Sequence, residues 1–380
     1  MSIELREAKS LGDLKKFVRF PFKLYKGNEY WIPSLIKGDV DNLRADRNPA
    51  FDHCDARYML AYRDGEIVGR IAGIINHRFI EKWDRKYARF CWFEFIDDLE
   101  VSGALIADIE AWARSKGMEG INGPIGFTTF EQLGILIYGF DELPTFSSTY
   151  NHPYYPDHLE HHGYGKDVDY VEYEVASPGG VPEKVSRISD ITRKRLKLKL
   201  LQADSRKELL PYASQIFDVI NAAYDPLFGF VPLTEKQVDH FVKKYFSFIL
   251  PEYTTVVLDQ EDQVVGFQIS MPSLSRAFQK TRGKLYPFGF RHLLKAMKNP
   301  DRIDILLVGI RPEYQGKGVN ALFMTEMTAT CAENGIRWAE SNSELEENIK
   351  VQNFWRYFDA RHHKRKRVFM KAFEDGSTPD

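Results

Sequence analysis

Cysteine is scarce in this chain: three residues among 380, Cys54, Cys91 and Cys331, odd in number and far apart. That spacing excludes a disulfide framework and offers no paired metal ligands, so the thiols read as reduced and mostly buried. No apolar run approaches the ~18–20 residues that cross a bilayer. The opening residues, Met1-Ser2-Ile3-Glu4-Leu5, lack the pattern of a secretory leader. Stable membrane insertion is therefore not expected, and a cytoplasmic location is. Neither sign of charge dominates: 52 Lys and Arg stand against 54 Asp and Glu, for a formal net charge of −2. A dedicated nucleic-acid binder would be basic, so none is expected as a partner. Low-complexity tracts and short repeats are also absent. What the chain has in quantity is aromatic side chains, 14% of its residues, which suits a packed protein with clefts. The length points to two or three domains.

Hydrophobic patterning gives an element order that occurs twice. In the first half a strand at Ile3–Arg6 and a helix from about Gly12 precede strands Arg57–Tyr62 and Ile67–Ile75, joined at the turn signal Asp64-Gly65. Strand Arg89–Phe95 then leads into helix Leu99–Lys116, with Asp97 and Glu100 at capping-box spacing and Gly117 at its stop. A Ser/Pro/Gly-rich stretch near Ser177–Pro182 and a basic one around Arg193–Lys199 come next. The order then recurs: strand Leu198–Gln202, helices Lys207–Ala223 and Glu235–Ile249, and strands Thr254–Leu258, Val264–Ser270 and Ile303–Ile310. Helix Val319–Asn334 and strand Arg337–Ser341 complete it.

Between the strand ending at Ile310 and the helix starting at Val319 lies the most informative stretch, Arg311-Pro312-Glu313-Tyr314-Gln315-Gly316-Lys317-Gly318-Val319-Asn320. A strand, a glycine-bearing turn and a helix start gather backbone N–H groups at the positive end of a helix dipole, the usual way to hold a phosphate. Gly316 and Gly318 admit an anion close to the backbone, and Arg311 and Lys317 supply charge. This segment resembles the pyrophosphate loop of the GNAT acetyltransferases, Gln/Arg-x-x-Gly-x-Gly/Ala, with Asn320 where Gly or Ala is usual. The recurring element order resembles the same superfamily. The fold expected is α/β: two tandem GNAT-like domains, each a twisted mixed sheet flanked by helices. Their expected limits are 1–176 and 197–374, with a linker at 177–196 and a tail at 375–380. The first domain lacks the loop: Phe95-Ile96-Asp97-Asp98 stands in its place, and two carboxylates there would repel a diphosphate.

The resemblance implies an N-acyltransferase whose co-substrate is acetyl-CoA ahead of a longer acyl-CoA, with no metal and direct transfer to the amine of a small molecule or peptide. Val308, Gly309, Ile310, the loop residues Arg311, Gln315, Gly316, Lys317, Gly318, Val319 and Asn320, and Asn348 are the residues expected to hold the cofactor. A bulge eased by Gly309 would expose an N–H for the thioester carbonyl. Asp304, at the offset of a family general base, and Glu340 on the next strand are candidate catalytic carboxylates. Tyr357 is a candidate acid, since the position usual for that tyrosine falls on Trp355. Alternatives are a non-catalytic acyl-CoA sensor and a Fem-type transferase using aminoacyl-tRNA, against which the near-neutral charge counts. The basic run Arg361–Arg367 reads either as an arm for the 3′-phosphate of CoA or as a charged strand edge. His152, His158, His161 and His162 lack metal-type spacing. The Lys/Arg-rich segment Arg276–Lys298 reads as an insertion shaping the acceptor pocket, with a membrane-surface helix as the sharper alternative.

Overall fold

The computed structural model describes residues 2–177 and 179–374; the tail expected at 375–380 lies outside them. Among the described residues no helix is long and apolar enough to cross a membrane. The strands are β1 (Glu4–Glu7), β2 (Cys54–Arg63), β3 (Glu66–Asn76), β4 (Tyr87–Phe95), β5 (Gly120–Gly123), β6 (Ile135–Tyr138) and β7 (Gly165–Ala176). In the second half they are β8 (Lys199–Leu200), β9 (Thr254–Leu258), β10 (Val264–Pro272), β11 (Arg302–Ile310), β12 (Trp338–Ser341), β13 (Glu344–Leu345) and β14 (Ala360–Ala372).

The chain divides into two compact units. One comprises residues 1–171, 275–292 and 364–380, the other 172–274 and 293–363. A single cut near residue 176 does not describe them, because the last strand of each sequence half is shared out. Residues 172–176 of β7 count with the second unit, where Glu174–Ala176 run antiparallel to β12. Residues 364–372 of β14 count with the first, where Phe369–Ala372 pair with Gly123–Gly120 of β5. The stretch expected as a linker holds a helix, Glu183–Leu196, whose buried Val185, Ser189 and Thr192 recur at helical spacing.

In the first unit the hydrogen-bonded order is β1-β2-β3-β4-β5-β14, antiparallel except for the parallel pair β4–β5. Asp64 and Gly65 take φ of +51° and +80°, as a two-residue hairpin turn between β2 and β3 demands. Helix Leu99–Ser115 buries Val101, Leu105 and Ile109 in a core shared with Phe90 and Phe95 of β4 and with Tyr155 of helix Tyr154–His161. Burying each of these large side chains contributes about 1.5–3 kcal/mol before entropy is counted. Its N-cap is Asp98, not Asp97: Asp98 accepts from the backbone N–H of Glu100 and Val101 and from Arg63 at 2.7 Å. Asp97 instead meets His158 Nε2 at 3.0 Å.

In the second unit the order is β7-β12-β11-β10-β9-β8, with β11 and β12 parallel and the neighbouring pairs antiparallel. The expected helix Lys207–Ala223 is broken at Pro211 into Arg206–Leu209, a tight turn and Ala213–Tyr224, because a proline cannot donate the hydrogen bond that a helix interior needs. Helix Glu235–Tyr245 begins at a Thr234/Gln237 capping box and stops short of the expected Ile249. Helix Val319–Glu333 packs Ala321, Met324, Met327 and Cys331 into a core shared with Val185, Ile303 and Ile305.

Candidate functional site

Two features of β11 define the site. Its register with β12 runs Arg302↔Trp338, Ile303↔Ala339, Asp304↔Glu340 and Ile305↔Ser341, and then stops. Opposite β10, Ile269 pairs with Leu307 and Ser270 with Ile305, so Leu306 is a bulged residue. Asn342 donates its side-chain N–H to the Leu306 carbonyl at 2.8 Å, holding the place where the two parallel strands part. The bulge is thus earlier than expected. Val308, Gly309 and Ile310 continue in register with Gln268, Phe267 and Gly266. Gly309 is needed for another reason: a Cβ there would stand 2.7 Å from the Phe267 ring. The Val308 carbonyl accepts from Tyr224 Oη at 2.9 Å.

Beyond Ile310 the chain turns through Pro312–Tyr314 and reaches helix Val319–Glu333. Gln315 closes the turn by donating to the Ile310 carbonyl at 3.1 Å. Arg311 is partly spent on structure, since its Nε donates to the Val264 carbonyl at 2.6 Å. Gly316 and Gly318 both have positive φ, +71° and +94°. No atom lies within 4 Å of a Cβ built on Gly316, so that side of the loop is open. Gly318 is the N-cap and has no side-chain hydrogen bond to offer the helix. Among the described residues no acceptor meets the backbone N–H of Gly316, Gly318, Val319 or Asn320. Orphan amides at a helix N-terminus with exposed Lys317 beside them can hold an anion such as a diphosphate. The residues therefore fit the cofactor that the loop pattern implies.

Helix Glu183–Leu196 adds groups that the sequence reading missed. Thr192 Oγ1 and the Arg195 guanidinium donate to the Lys317 carbonyl at 3.3 and 2.9 Å. The signal was the basic run around Arg193–Lys199, which reads as linker until a helix brings it to the loop.

Where β11 and β12 part, acids and a histidine collect. Asp304 is fully buried. Its neighbour Glu340, also buried, meets Arg302 at 3.4 Å and His363 Nε2 at 3.5 Å. Glu172, Glu340 and His363 each place a ligand-type atom within 4.8 Å of the others. They could hold a divalent cation, but zinc bonds of about 2.0–2.1 Å would require the three to draw closer. Ser343 donates to Glu172 at 2.7 Å. On β13, Glu344 accepts from Trp355 Nε1 at 3.0 Å. Burial pushes the Glu344 carboxyl up to about 8, with the charge of Glu172 acting in the same direction, so it carries a proton at neutral pH. Glu174 goes the other way: burial opposes ionisation, but Arg361 and Arg302 together hold it below the usual carboxylate range.

The remaining expected residues are placed less centrally. Tyr357 is 38% exposed with the Lys184 ammonium over its ring at 4.7 Å; two residues earlier, Trp355 is the side chain that reaches an acid. Asn348 caps the short helix Ile349–Gln352 through its carbonyl. The run Arg361–Arg367 is tied down rather than extended as an arm: Arg361 pairs with Glu174 at 2.8 Å, and Arg365 and Arg367 pair with Asp169. Of the four clustered histidines, His158 and His162 both bond Ser102 Oγ, at 2.8 and 2.9 Å. Ser102 is wholly buried, so the Ser102–His158–Asp97 chain braces the helix and presents no nucleophile.

Comparison with solved structures bears on the fold. A tandem GNAT protein from the clavulanic acid biosynthesis pathway superposes with a TM-score of 0.57 at 12% identity, covering 99% of this chain and all of the other. The chain has the tandem GNAT fold. A GCN5-related N-acetyltransferase from Sphaerobacter thermophilus gives 0.50 at 12% identity, covering 99% and 97%. Among curated proteins, the chain is 28% identical to Protein YghO of Escherichia coli (strain K12) over 95% of its own length and 93% of the other. It is 26% identical to the bacterial ceramide synthase of Caulobacter vibrioides over 96% of each chain. No protein-family model matches the sequence.

Proposed function

We propose that this protein is an acyl-CoA-dependent N-acyltransferase that joins a long acyl chain to a lipid-like amine by direct attack. One conjunction supports the reading most. A single strand, β11, ends in a loop of open amides and, earlier along its length, runs beside β12, whose Glu340 belongs to a buried cluster of two carboxylates and an imidazole. A tandem GNAT fold is compatible with acetyl and longer chains alike. Over nearly the whole chain the sequence is similar to a protein named a ceramide synthase, and a ceramide is the amide of a fatty acid and a long-chain amine. That similarity favours the longer chain and the lipid amine.

In this reading the loop amides, Lys317 and Arg195 hold the diphosphate, and the gap past Ile305 and Ser341 admits the acyl arm. Glu340 and His363, with Asp304 opposite Glu340 on the neighbouring strand, accept the proton of the attacking amine. The N–C bond forms as the C–S bond breaks, and protonated Glu344 supplies the departing sulfur with its proton. No covalent enzyme intermediate is required. Calorimetric titration with CoA tests the binding half: one site per chain is expected, and no detectable binding would remove the basis of the proposal.

A further inference from the structure

The stretch from Gln263 to Pro300 is the longest in the chain without an Asp or Glu. Between Arg276 and Lys298 it holds seven Lys or Arg and no Asp or Glu, in a protein whose net charge is −2. Its first part is rooted in the first unit. Ser275 donates to the Pro144 carbonyl at 2.8 Å, Phe278 stacks on Phe146 at 5.4 Å, and Gly283 gives its carbonyl to Ile36 N–H. The part after Gly283 is largely uncovered. Tyr286 is 79% exposed, Phe288 64% and Leu294 59%, the three most exposed large apolar side chains among the described residues. Lys284, Arg291, Lys295 and Lys298 are exposed too, and the Arg291 guanidinium lies over the Phe288 ring at 5.3 Å. Helix Phe290–Lys298 buries Leu293 and turns Arg291, Leu294, Lys295 and Lys298 outward.

We infer that Lys284–Lys298 is a membrane-surface anchor that seats on an anionic phospholipid bilayer. Exposed apolar side chains interspersed with cations and no acid match such a surface in both respects: hydrocarbon takes Tyr286, Phe288 and Leu294, and the headgroups take the lysines and arginine. An exposed aliphatic Leu294 in the same segment as two exposed aromatics favours lipid over nucleic acid, where bases would call for stacking rings alone. The anchor lies at the interface plane and spans nothing. It would set the protein on the surface where an amine with a long hydrocarbon chain resides, yet it stands on the patch alone and not on the acyl-transfer reading.

Co-sedimentation of the full chain with vesicles, without any substrate, tests it. Vesicles of 30% phosphatidylglycerol in phosphatidylcholine should bind the protein at least about 10-fold better than pure phosphatidylcholine, and added salt should erase the difference. The variant Tyr286→Ser/Phe288→Ser/Leu294→Ser should lose at least about 10-fold in partitioning. Lys284→Gln/Arg291→Gln/Lys295→Gln/Lys298→Gln should lose about 100-fold on anionic vesicles. All seven positions are exposed, and circular dichroism would verify that both variants fold. Equal partitioning of wild type and both variants, or binding to a labelled oligonucleotide in place of vesicles, would overturn the inference.

Discussion

Gly318 stands against Thr192: a Cβ added to the glycine would lie 2.5 Å from the threonine Oγ1, at a backbone φ of +94°. Both facts make the residue structural. Gly318→Ala should cost roughly 2 kcal/mol, because the left-handed conformation is strained for any residue with a Cβ and the hydroxyl has to move. Thermal unfolding should show a lower Tm. A Tm equal to wild type would mean the helix starts elsewhere.

Charge at the loop can be tested without that strain. Lys317 and Arg195 are exposed, so Lys317→Glu and Arg195→Glu should leave Tm nearly unchanged. Each should weaken CoA binding by more than about 10-fold, or about 1.4 kcal/mol. Calorimetry reads both values, and unaltered affinity in the two variants would place the diphosphate elsewhere.

Binding should saturate at one CoA per chain. In the first unit the corresponding helix start is closed, with Asp98 accepting from two backbone N–H groups and pairing with Arg63. A stoichiometry of two would contradict this asymmetry.

Much of the fold is legible in the sequence because it rests on local pattern. Strand Thr254–Leu258 and the glycine loop follow from apolar runs, turn residues and the strand–loop–helix setting. The acid cluster is only half visible there. Asp304 and Glu340 sit on neighbouring parallel strands, a relation that element order suggests. Glu172 and His363 come from β7 and β14, and only the register of distant segments brings them near Glu340, while Glu344 of β13 feels the charge of Glu172. Thr192 and Arg195 are hidden because a helix after a Pro/Gly stretch looks like a linker until its partner helix is known. Gly309 reads as easing a bulge, whereas its role is to clear the Phe267 ring.

Glu344 gives the pH dependence. Its folded value of about 8 lies above the ordinary 4.5. In that interval the folded chain keeps a proton that the unfolded chain releases, so stability should fall as pH rises from about 4.5 through about 8. Glu344→Gln should flatten that slope and lower transfer most below pH 8, where the acid is protonated. A slope identical in wild type and variant would show that Glu344 is ordinary.

The proton acceptors and the thiol should behave differently. Glu340→Gln and His363→Asn should each lower the transfer rate by about 100-fold at neutral pH, with the loss shrinking as the amine deprotonates at higher pH. Cys331→Ala should leave the rate unchanged, since burial pushes its thiol up to about 12 and makes it inert. A trapped acyl adduct on Cys331 would refute direct attack.

The most direct test incubates purified protein with palmitoyl-CoA and a long-chain 2-amino alcohol, following free CoA thiol and amide by mass spectrometry. The account predicts amide and thiol in equal amounts, dependent on Glu340 and on Lys317. Binding of palmitoyl-CoA with no amide formed from any long-chain amine would contradict it.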